Sequence, residues 1–313
     1  MKLQQLRYLV EVERRGLSIS AAAEALFTSQ PGVSKQIGLL EEELGVTIFE
    51  RSGKRLSGTT TPGRIVLAMA RRILTEAQNM KRVGEDYAAE SSGLLSIATT
   101  HTQARYTLPP VIQRFVQRHP EIRLHIQQGS PLQVCEWLLD GSADLGIATE
   151  ALDRHAELLT LPCFRWSHLV ITPAGHPLLE SVPLTLAALA DYPLITYDAS
   201  FTGRSHIDKA FERQSLRPNV MLTAIDSDVI KTYVGLGLGV GIIAEMAFDP
   251  VRDGALAAMP ATHLFEGNTT RVGFRRDNWL RGYEYDFMEL LAPQLTRRVV
   301  EATQKGEGVD PGL

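Results

Sequence analysis

The sequence predicts a mostly helical head, a long linker helix and a C-terminal α/β body of two lobes. Three observations carry this. Two helical segments joined by a very short break lie within the first 60 residues. An apolar pattern with a seven-residue period follows Thr61-Pro62. Through the last 220 residues, β-rich apolar runs alternate with helical stretches. The expected boundaries are 1–60 for the head, 61–90 for the linker and 91–313 for the body. Lobe I would take about 91–162 and 266–295, and lobe II about 163–265.

The helices of the head follow from spacing and caps. Leu3, Leu6, Leu9 and Val10 recur at helical spacing, and that helix stops near Gly16. Ser18 is a good N-cap for an Ala-rich helix, Ala21 to Leu26. After Phe27-Thr28, Ser29 caps a third helix. Pro31 stands in its first turn, where a missing N–H does no harm. Val33, Ile37, Leu40 and Leu44 share one face, and Gly45 ends the helix. A pair of helices joined this tightly reads as helix-turn-helix.

The outer face of the third helix starts with Ser29, Gln30, Ser34, Lys35 and Gln36. These are short or amide-bearing groups that reach base edges, with one phosphate-seeking charge. Ile48 to Arg51, a Ser52-Gly53 turn and Lys54 to Leu56 predict a β-hairpin wing. Arg51, Lys54 and Arg55 lie where a wing meets backbone phosphates. The plainer alternative is a three-helix core whose basic residues simply face solvent.

Thr61-Pro62 reads as an N-cap and first-turn proline, with helix to about Ala89. Val66, Ile73, Met80 and Tyr87 recur every seven residues, and Met69, Ala70, Ala77 and Val83 fill much of a second seam. This is either a dimerisation helix or a surface helix lying on its own domain. The first is preferred, because a winged reader needs two copies to grip a two-half site. Glu90-Ser91-Ser92-Gly93 then reads as a hinge.

In the body, strands are expected at Leu94–Thr99, Ile122–Gln127, Asp144–Ala148, Leu169–Thr172, Leu194–Tyr197 and Val220–Thr223. Helices are expected near Leu108–Arg118, Leu132–Leu139, Gly203–Gln214 and Asp226–Leu236. The alternation predicts largely parallel sheets. A second sheet is expected to begin after Pro162-Cys163, with Arg271–Phe274 and Tyr283–Leu291 returning to the first. Ligands of such sheets sit beyond the carboxyl ends of strands, at helix N-termini. Thr99 to Gln103, Thr149-Glu150 and Phe201 to Ser205 fall there, all rich in hydroxyl and amide donors suited to a small anion. Taken singly, each Thr or Ser is equally an ordinary cap; their recurrence favours a site.

Composition sets limits. The chain has 313 residues and a mass of 34.5 kDa, with 44% hydrophobic and 22% charged residues, so large cores are affordable and disorder is not the main state. Net charge is −4. Residues 1–90 hold 13 Lys+Arg against 11 Asp+Glu, a net of +2, which leaves the rest at −6. A uniform basic coat is excluded; a local basic face is not. Cys135 and Cys163 are too few for a disulfide scaffold or a cysteine-rich zinc site. Charges run through the N-terminal segment where an export signal would be apolar, and the longest apolar run, Val234 to Ala244, is too short for a bilayer. A cytoplasmic protein with no membrane partner is expected. Gly235, Gly237, Gly239 and Gly241 mimic a nucleotide loop but follow a helix and precede a strand, which fits a tight turn better. The histidines show no zinc spacing, and there is no nucleophile elbow. No enzyme, metal or cofactor is expected.

The head segment LSISAAAEALFTSQPGVSKQIGLLEEELGVTIFERSGKRL, followed by TPG, resembles the winged helix-turn-helix of LysR-type transcriptional regulators. SIATTHTQARYTLP, QQGSP, IATEAL, LPCFRW, FTGRS and DSDVIKTYVGLGLGVGIIA resemble the CysB branch, activators of sulfur assimilation and cysteine biosynthesis. The resemblance covers residues 1 to about 300. It implies a homotetramer, a dimer of dimers, on double-stranded promoter DNA, with RNA polymerase as a further partner. It implies an effector domain like periplasmic solute-binding proteins. The anion pocket would fall on Thr100, Thr102, Gln103, Thr149 and Thr202, with Ser130 and Trp166 as further lining. The effector would be N-acetylserine or O-acetylserine, with sulfate or thiosulfate as alternatives.

Phe164-Arg165 and Asp198-Ala199-Ser200 depart from that branch near the pocket mouth. Gly38 within the reading helix costs up to ~1 kcal/mol against alanine. The departures keep open a sister branch that controls alkanesulfonate and sulfate-ester use. Rivals of another class are a small-anion binding protein and a transferase using the cleft.

Overall fold

A computed structural model describes residues 1–53, 55–87, 93–149, 151–199, 201 and 203–307. Lys54, Glu150, Thr202, most of the expected hinge (Glu90 to Ser92) and the end of the tail lie outside them. The chain divides into two compact units, Met1–Ala88 and Ala89–Leu313.

In the first unit, α1 (Leu3–Arg14), α2 (Ile19–Ala25) and α3 (Gln30–Leu44) precede β1 (Phe49–Ser52), β2 (Arg55–Thr59) and α4 (Thr61–Tyr87). The caps are those the sequence signals. Ser18 Oγ accepts Ala21 N–H at 3.2 Å and Ser29 Oγ accepts Gly32 N–H at 3.3 Å. Gly45 closes α3 at φ 67°, a left-handed conformation that glycine adopts without a Cβ penalty. Leu6, Leu9, Val12, Val33, Ile37 and Leu40 bury their side chains together with Ile48 and Phe49. Leu44 does not join them and is exposed, because α3 runs past the edge of this core.

The cap of α4 is one residue earlier than its sequence suggests. Thr60 Oγ1 accepts Gly63 N–H at 2.9 Å and donates to Thr47 carbonyl at 2.6 Å. Gly63 is held there by contact: a Cβ would stand 2.0 Å from the Ile48 carbonyl oxygen. Both readings of α4 have a face. Leu67, Ala70 and Leu74 pack on the unit's own core. Ile65, Met69, Ile73 and Met80 stay exposed, Met80 at 76%. Ala70 therefore belongs to the inner face rather than to a partner seam.

The second unit holds two five-stranded sheets. The strands are β3 (Gly93–Thr99), β4 (Ile122–Gln128), β5 (Leu145–Thr149), β6 (Leu158–Trp166), β7 (His168–Pro173), β8 (Leu194–Tyr197), β9 (Val220–Ala224), β10 (Val240–Ala244), β11 (Leu256–Pro260) and β12 (Asn268–Arg275). The helices are α5 (Leu108–Arg118), α6 (Pro131–Leu139), α7 (Leu186–Ala190), α8 (Arg204–Arg213), α9 (Ser227–Gly235), α10 (Gly282–Leu291) and α11 (Arg297–Gln304).

Sheet order is β4-β3-β5-β12-β6 in lobe I and β11-β7-β10-β8-β9 in lobe II. β3 is parallel to β4 and β5, and β8 is parallel to β9 and β10. β12, β6, β7 and β11 add antiparallel pairs. Helices cover both faces of each sheet, as buried parallel strands require. Phe115 of α5, Phe287 of α10 and Val300 of α11 pack on one side of the first sheet, Val134 and Leu138 of α6 on the other. Phe211 of α8 and Ile230 of α9 do the same for the second.

The second sheet begins at His168 rather than after Pro162-Cys163. β6 runs through Cys163 to Trp166 as an edge of the first sheet, paired with β12 on both sides of a register shift at Cys163. The proline did not break it because an edge strand needs only half its N–H groups. The glycine run is a helix-to-strand turn, with α9 ending at Gly235 and β10 starting at Val240. Both cysteines are buried free thiols; burial pushes Cys163 up to about 12, so its thiolate is suppressed.

At the β6–β7 crossing, His168 is buried, with neither ring nitrogen hydrogen-bonded. It lies edge-on between Trp166 and Phe265, at centroid distances of 5.3 and 5.5 Å. Burial, and secondarily the charge of His206, pushes its pKa down to about 3. Below about pH 6.5 the unfolded ring takes up a proton that the folded ring refuses, so stability is lost as pH falls. This ring should remove about 2 kcal/mol from the second unit between pH 6.5 and 5. Urea unfolding at pH 7 and pH 5 should show that part of the loss in the wild type and not in His168→Phe.

Candidate functional site

The head presents its expected reading residues to solvent. Ser29, Gln30, Pro31 and Lys35 are exposed and Ser34 is half-buried at the start of α3. Among the described residues Lys35 has no ion-pair partner, so its charge is available to an anion. Phe27, in the turn before α3, is 98% exposed with φ 50°. The spacing of the two helices gave no signal for it.

The wing forms as an antiparallel pair with Ser52 opposite Arg55 and Arg51 opposite Leu56, and Gly53 turns at φ 63°. Arg51 and Arg55 are exposed. Arg51 also stands 3.9 Å from Glu41. Glu41 fixes the start of the wing: its Oε1 accepts the N–H groups of Ile48 at 2.7 Å and Phe49 at 3.2 Å.

In the second unit, the ends of several strands meet in one cleft. Thr100, Thr102, Gln103, Thr149, Trp166, Tyr197, Phe201, Ile225 and Ala244 line it. Five of the expected residues are thus brought together. Ser130 is not in the described lining. Its hydroxyl accepts Gln133 N–H at 3.3 Å and caps α6. Thr202 falls outside the described residues, between Phe201 in the lining and Gly203. Tyr197, Ile225 and Ala244 were not singled out from sequence. They occupy or follow the last positions of β8, β9 and β10, so the strand-end rule applied to lobe II would have found them.

Local structure explains why these residues face the cleft. A helix opens where β3 ends, the Thr100 carbonyl accepting Ala104 N–H at 3.0 Å. Its first N–H groups have no partner within the helix, which makes the Thr100–Gln103 segment an anion-attracting end. The helix then widens into a π turn, Gln103–Thr107, before α5. Gln103 is buried and its Nε2 donates to Thr270 Oγ1 at 3.0 Å. Its Oε1 and Trp166 Nε1 are buried with no hydrogen-bond partner.

On the lobe II wall, Tyr197 OH lies 2.6 Å from Ser227 Oγ and accepts Ala244 N–H at 2.9 Å. Burial raises its pKa, so it stays a neutral hydroxyl. Gly203, at φ 88° and N-terminal to α8, passes so close to His168 that a Cβ would stand 2.5 Å from Nε2. The described lining contains no Lys or Arg. An oxyanion there would be held by hydroxyls, an amide, an indole N–H and helix-end N–H groups, while Phe201, Ile225 and Ala244 offer an apolar wall. His101, Asp226 and Asp228 bring potential ligand atoms within 4.8 Å of one another. Asp226 caps α9 and Asp228 is taken up by neighbouring cations, which explains the cluster without an ion.

Comparison with known proteins matches both units. Residues 3–64 match the family described as bacterial regulatory helix-turn-helix protein, lysR family, and residues 88–296 match the LysR substrate binding domain. The HTH-type transcriptional regulator CysB of Burkholderia cenocepacia is 54% identical over 98% of each chain. SsuR of the same organism is 53% identical over 94% of this chain and 96% of its own. The regulator cbl of Escherichia coli is 45% identical over 97% and 98%. A solved cofactor-binding domain of the Cbl transcriptional regulator is 45% identical, covers 68% of this chain and 94% of its own, and superposes with a TM-score of 0.66.

Glu41→Ala should leave two N–H groups at the base of the wing without their acceptor, at about 1–3 kcal/mol. The check is the unfolding free energy of the first unit from a denaturant titration, which should fall by that amount while the far-UV spectrum at low denaturant is kept.

Proposed function

The chain belongs to the LysR family of bacterial helix-turn-helix regulators, and on that premise we propose that it controls sulfate-assimilation and cysteine-biosynthesis genes, mainly as an activator. It is a transcriptional regulator and not an enzyme. In this reading α3 enters the major groove, with Ser29, Gln30, Pro31, Ser34 and Lys35 presenting its reading end. Arg51, Lys54 and Arg55 grip the backbone. The exposed stripe of α4 pairs two chains, and two such dimers make the tetramer. No described helix is long and apolar enough to cross a membrane.

The observation that carries the effector half is the cleft. Thr100, Thr102, Gln103 and Thr149 converge on a helix N-terminus, with an unpartnered indole N–H opposite. Thr202 is assigned to the same anion by its place beside Phe201. Ser130 caps α6 and lies outside the described lining, so its part in the site rests on the family resemblance alone. N-acetylserine or O-acetylserine suits both halves of the lining: a carboxylate for the hydroxyls and N–H groups, an acyl carbon chain for Phe201 and Ile225. Sulfate or thiosulfate would use the polar half alone. The departures at Phe164-Arg165 and Asp198-Ala199-Ser200 favour a second reading, control of alkanesulfonate and sulfate-ester genes with an organosulfur effector. Either effector acts only through different affinities for two states of the tetramer.

Fluorescence anisotropy on DNA upstream of the host's sulfate-reduction genes, with and without N-acetylserine, tests the reading. Binding that is salt-sensitive and altered by N-acetylserine supports it; binding indifferent to N-acetylserine moves the effector to a sulfur anion. Lys35→Ala should weaken binding and reduce its salt slope by about 1; an unchanged slope removes Lys35 from the interface. Thr100→Ala should abolish the effector response and leave DNA affinity in its absence within about twofold, a difference of only a few tenths of a kcal/mol.

A further inference from the structure

The π turn that follows the effector residues faces two ways. In an α-helix, residues three apart lie on nearly one face; a wider π turn rotates them apart, and such turns cluster at functional sites. Here Gln103 points to Thr270 of its own lobe, and Tyr106 points to the other lobe. Tyr106 OH donates to Asp228 Oδ1 at 2.6 Å, and Arg105 Nε donates to Asp228 Oδ2 at 3.0 Å. Asp228 lies in the first turn of α9, in lobe II.

Lys231, one turn further along α9, is 3.4 Å from Asp228 and 3.1 Å from Asp253, and lies over the Tyr106 ring at 5.2 Å. The Tyr106 ring also packs on the apolar cluster of lobe II. His101 adds a ring nitrogen within 4.8 Å of the Asp226 and Asp228 carboxylates. Burial disfavours the Asp228 charge, but Tyr106, Lys231 and Arg105 together hold its carboxyl below the ordinary value.

We propose that Tyr106 and Asp228, backed by Arg105 and Lys231, are positioning residues of the effector cleft: they clasp the π turn of lobe I to α9 of lobe II. The clasp rests on the effector reading of the cleft only for its consequence. None of its four residues is in the described lining of the cleft, yet it fixes the segment that carries Thr102 and Gln103. The two covalent crossings, at Ser167 and between β11 and β12, leave the lobes free to part like a hinge. The clasp is a further tie, away from those crossings. An effector binding to lobes already held together has less ordering to supply, and its apparent affinity scales with the fraction of molecules so held.

The test uses the full chain with Tyr106→Phe, which keeps the ring and its packing, and with Asp228→Asn. Spin labels on exposed Arg123 of lobe I and Glu212 of lobe II report the distance across the cleft, with labelled chain diluted into unlabelled chain. Without ligand, both variants should broaden that distance toward longer values while the far-UV spectrum is unchanged. Titration with inorganic sulfate should then show a Kd raised about tenfold, as expected if the held fraction falls by that factor. An unchanged distance distribution in folded Tyr106→Phe overturns the clasp, whether or not Asp228→Asn folds. A distance that shifts with no change in sulfate Kd overturns the positioning role. If the wild type itself fails to bind sulfate, the sulfate form of the effector reading fails, and the distance measurement alone decides the clasp.

Discussion

The chain crosses between its two sheets only twice, and the rest of the larger unit follows from that. β6 hands over to β7 at Ser167, and β11 returns to β12. Each lobe completes its own helix-covered sheet, so each can close its core without the other. What remains between them is the rim where parallel strands end and helices begin. Polar side chains at the strand and helix ends, Thr100, Thr102, Gln103 and Thr149 among them, collect along that rim. A polar cleft is therefore the geometric remainder of two independently satisfied cores. The hinge is aromatic by contrast: Trp166, His168 and Phe265 stack edge to face, and Gly203 leaves no room for a side chain above the imidazole.

Much of this was legible in the sequence because it is locally determined. Ser18, Ser29, Pro31 and Gly45 each act within four residues, and each sits where its chemistry demands. Thr100, Thr102, Gln103 and Thr149 were legible because a strand followed by a helix start fixes where their side chains stand. What was missed depends on partners distant in sequence. β6 was not foreseen to reach Trp166, since its pairing with β12 joins residues about a hundred apart. Tyr197, Ile225 and Ala244, however, were within reach of the strand-end rule, which had been applied mainly to lobe I. Ser130 satisfied both readings, cap and ligand, and its capping box with Gln133 placed it with the first. Thr60 displaced Thr61 as the cap of α4 because its hydroxyl also reaches the Thr47 carbonyl, a tie invisible to helical spacing.

The head uses a different economy. Its core is small, and its reading residues carry almost no interactions of their own. Glu41 joins the two parts: a side chain of α3 accepts the N–H groups that begin the wing. The angle between helix and wing is thus set by a carboxylate, not by apolar packing alone. Along α4, one stripe is consumed by this unit and the opposite stripe is left apolar and uncovered, the division expected of a helix with two neighbours.

The charge-free lining of the cleft has a kinetic consequence. Long-range attraction speeds encounter only where like charges gather, and salt screens it over roughly 10 Å at 0.1 M. The wing and α3 carry such charges; the described cleft wall carries none, offering short-range dipoles instead. A ligand held by such dipoles would bind with little dependence on salt, whereas a polyanion held by α3 and the wing would be released as ionic strength rises.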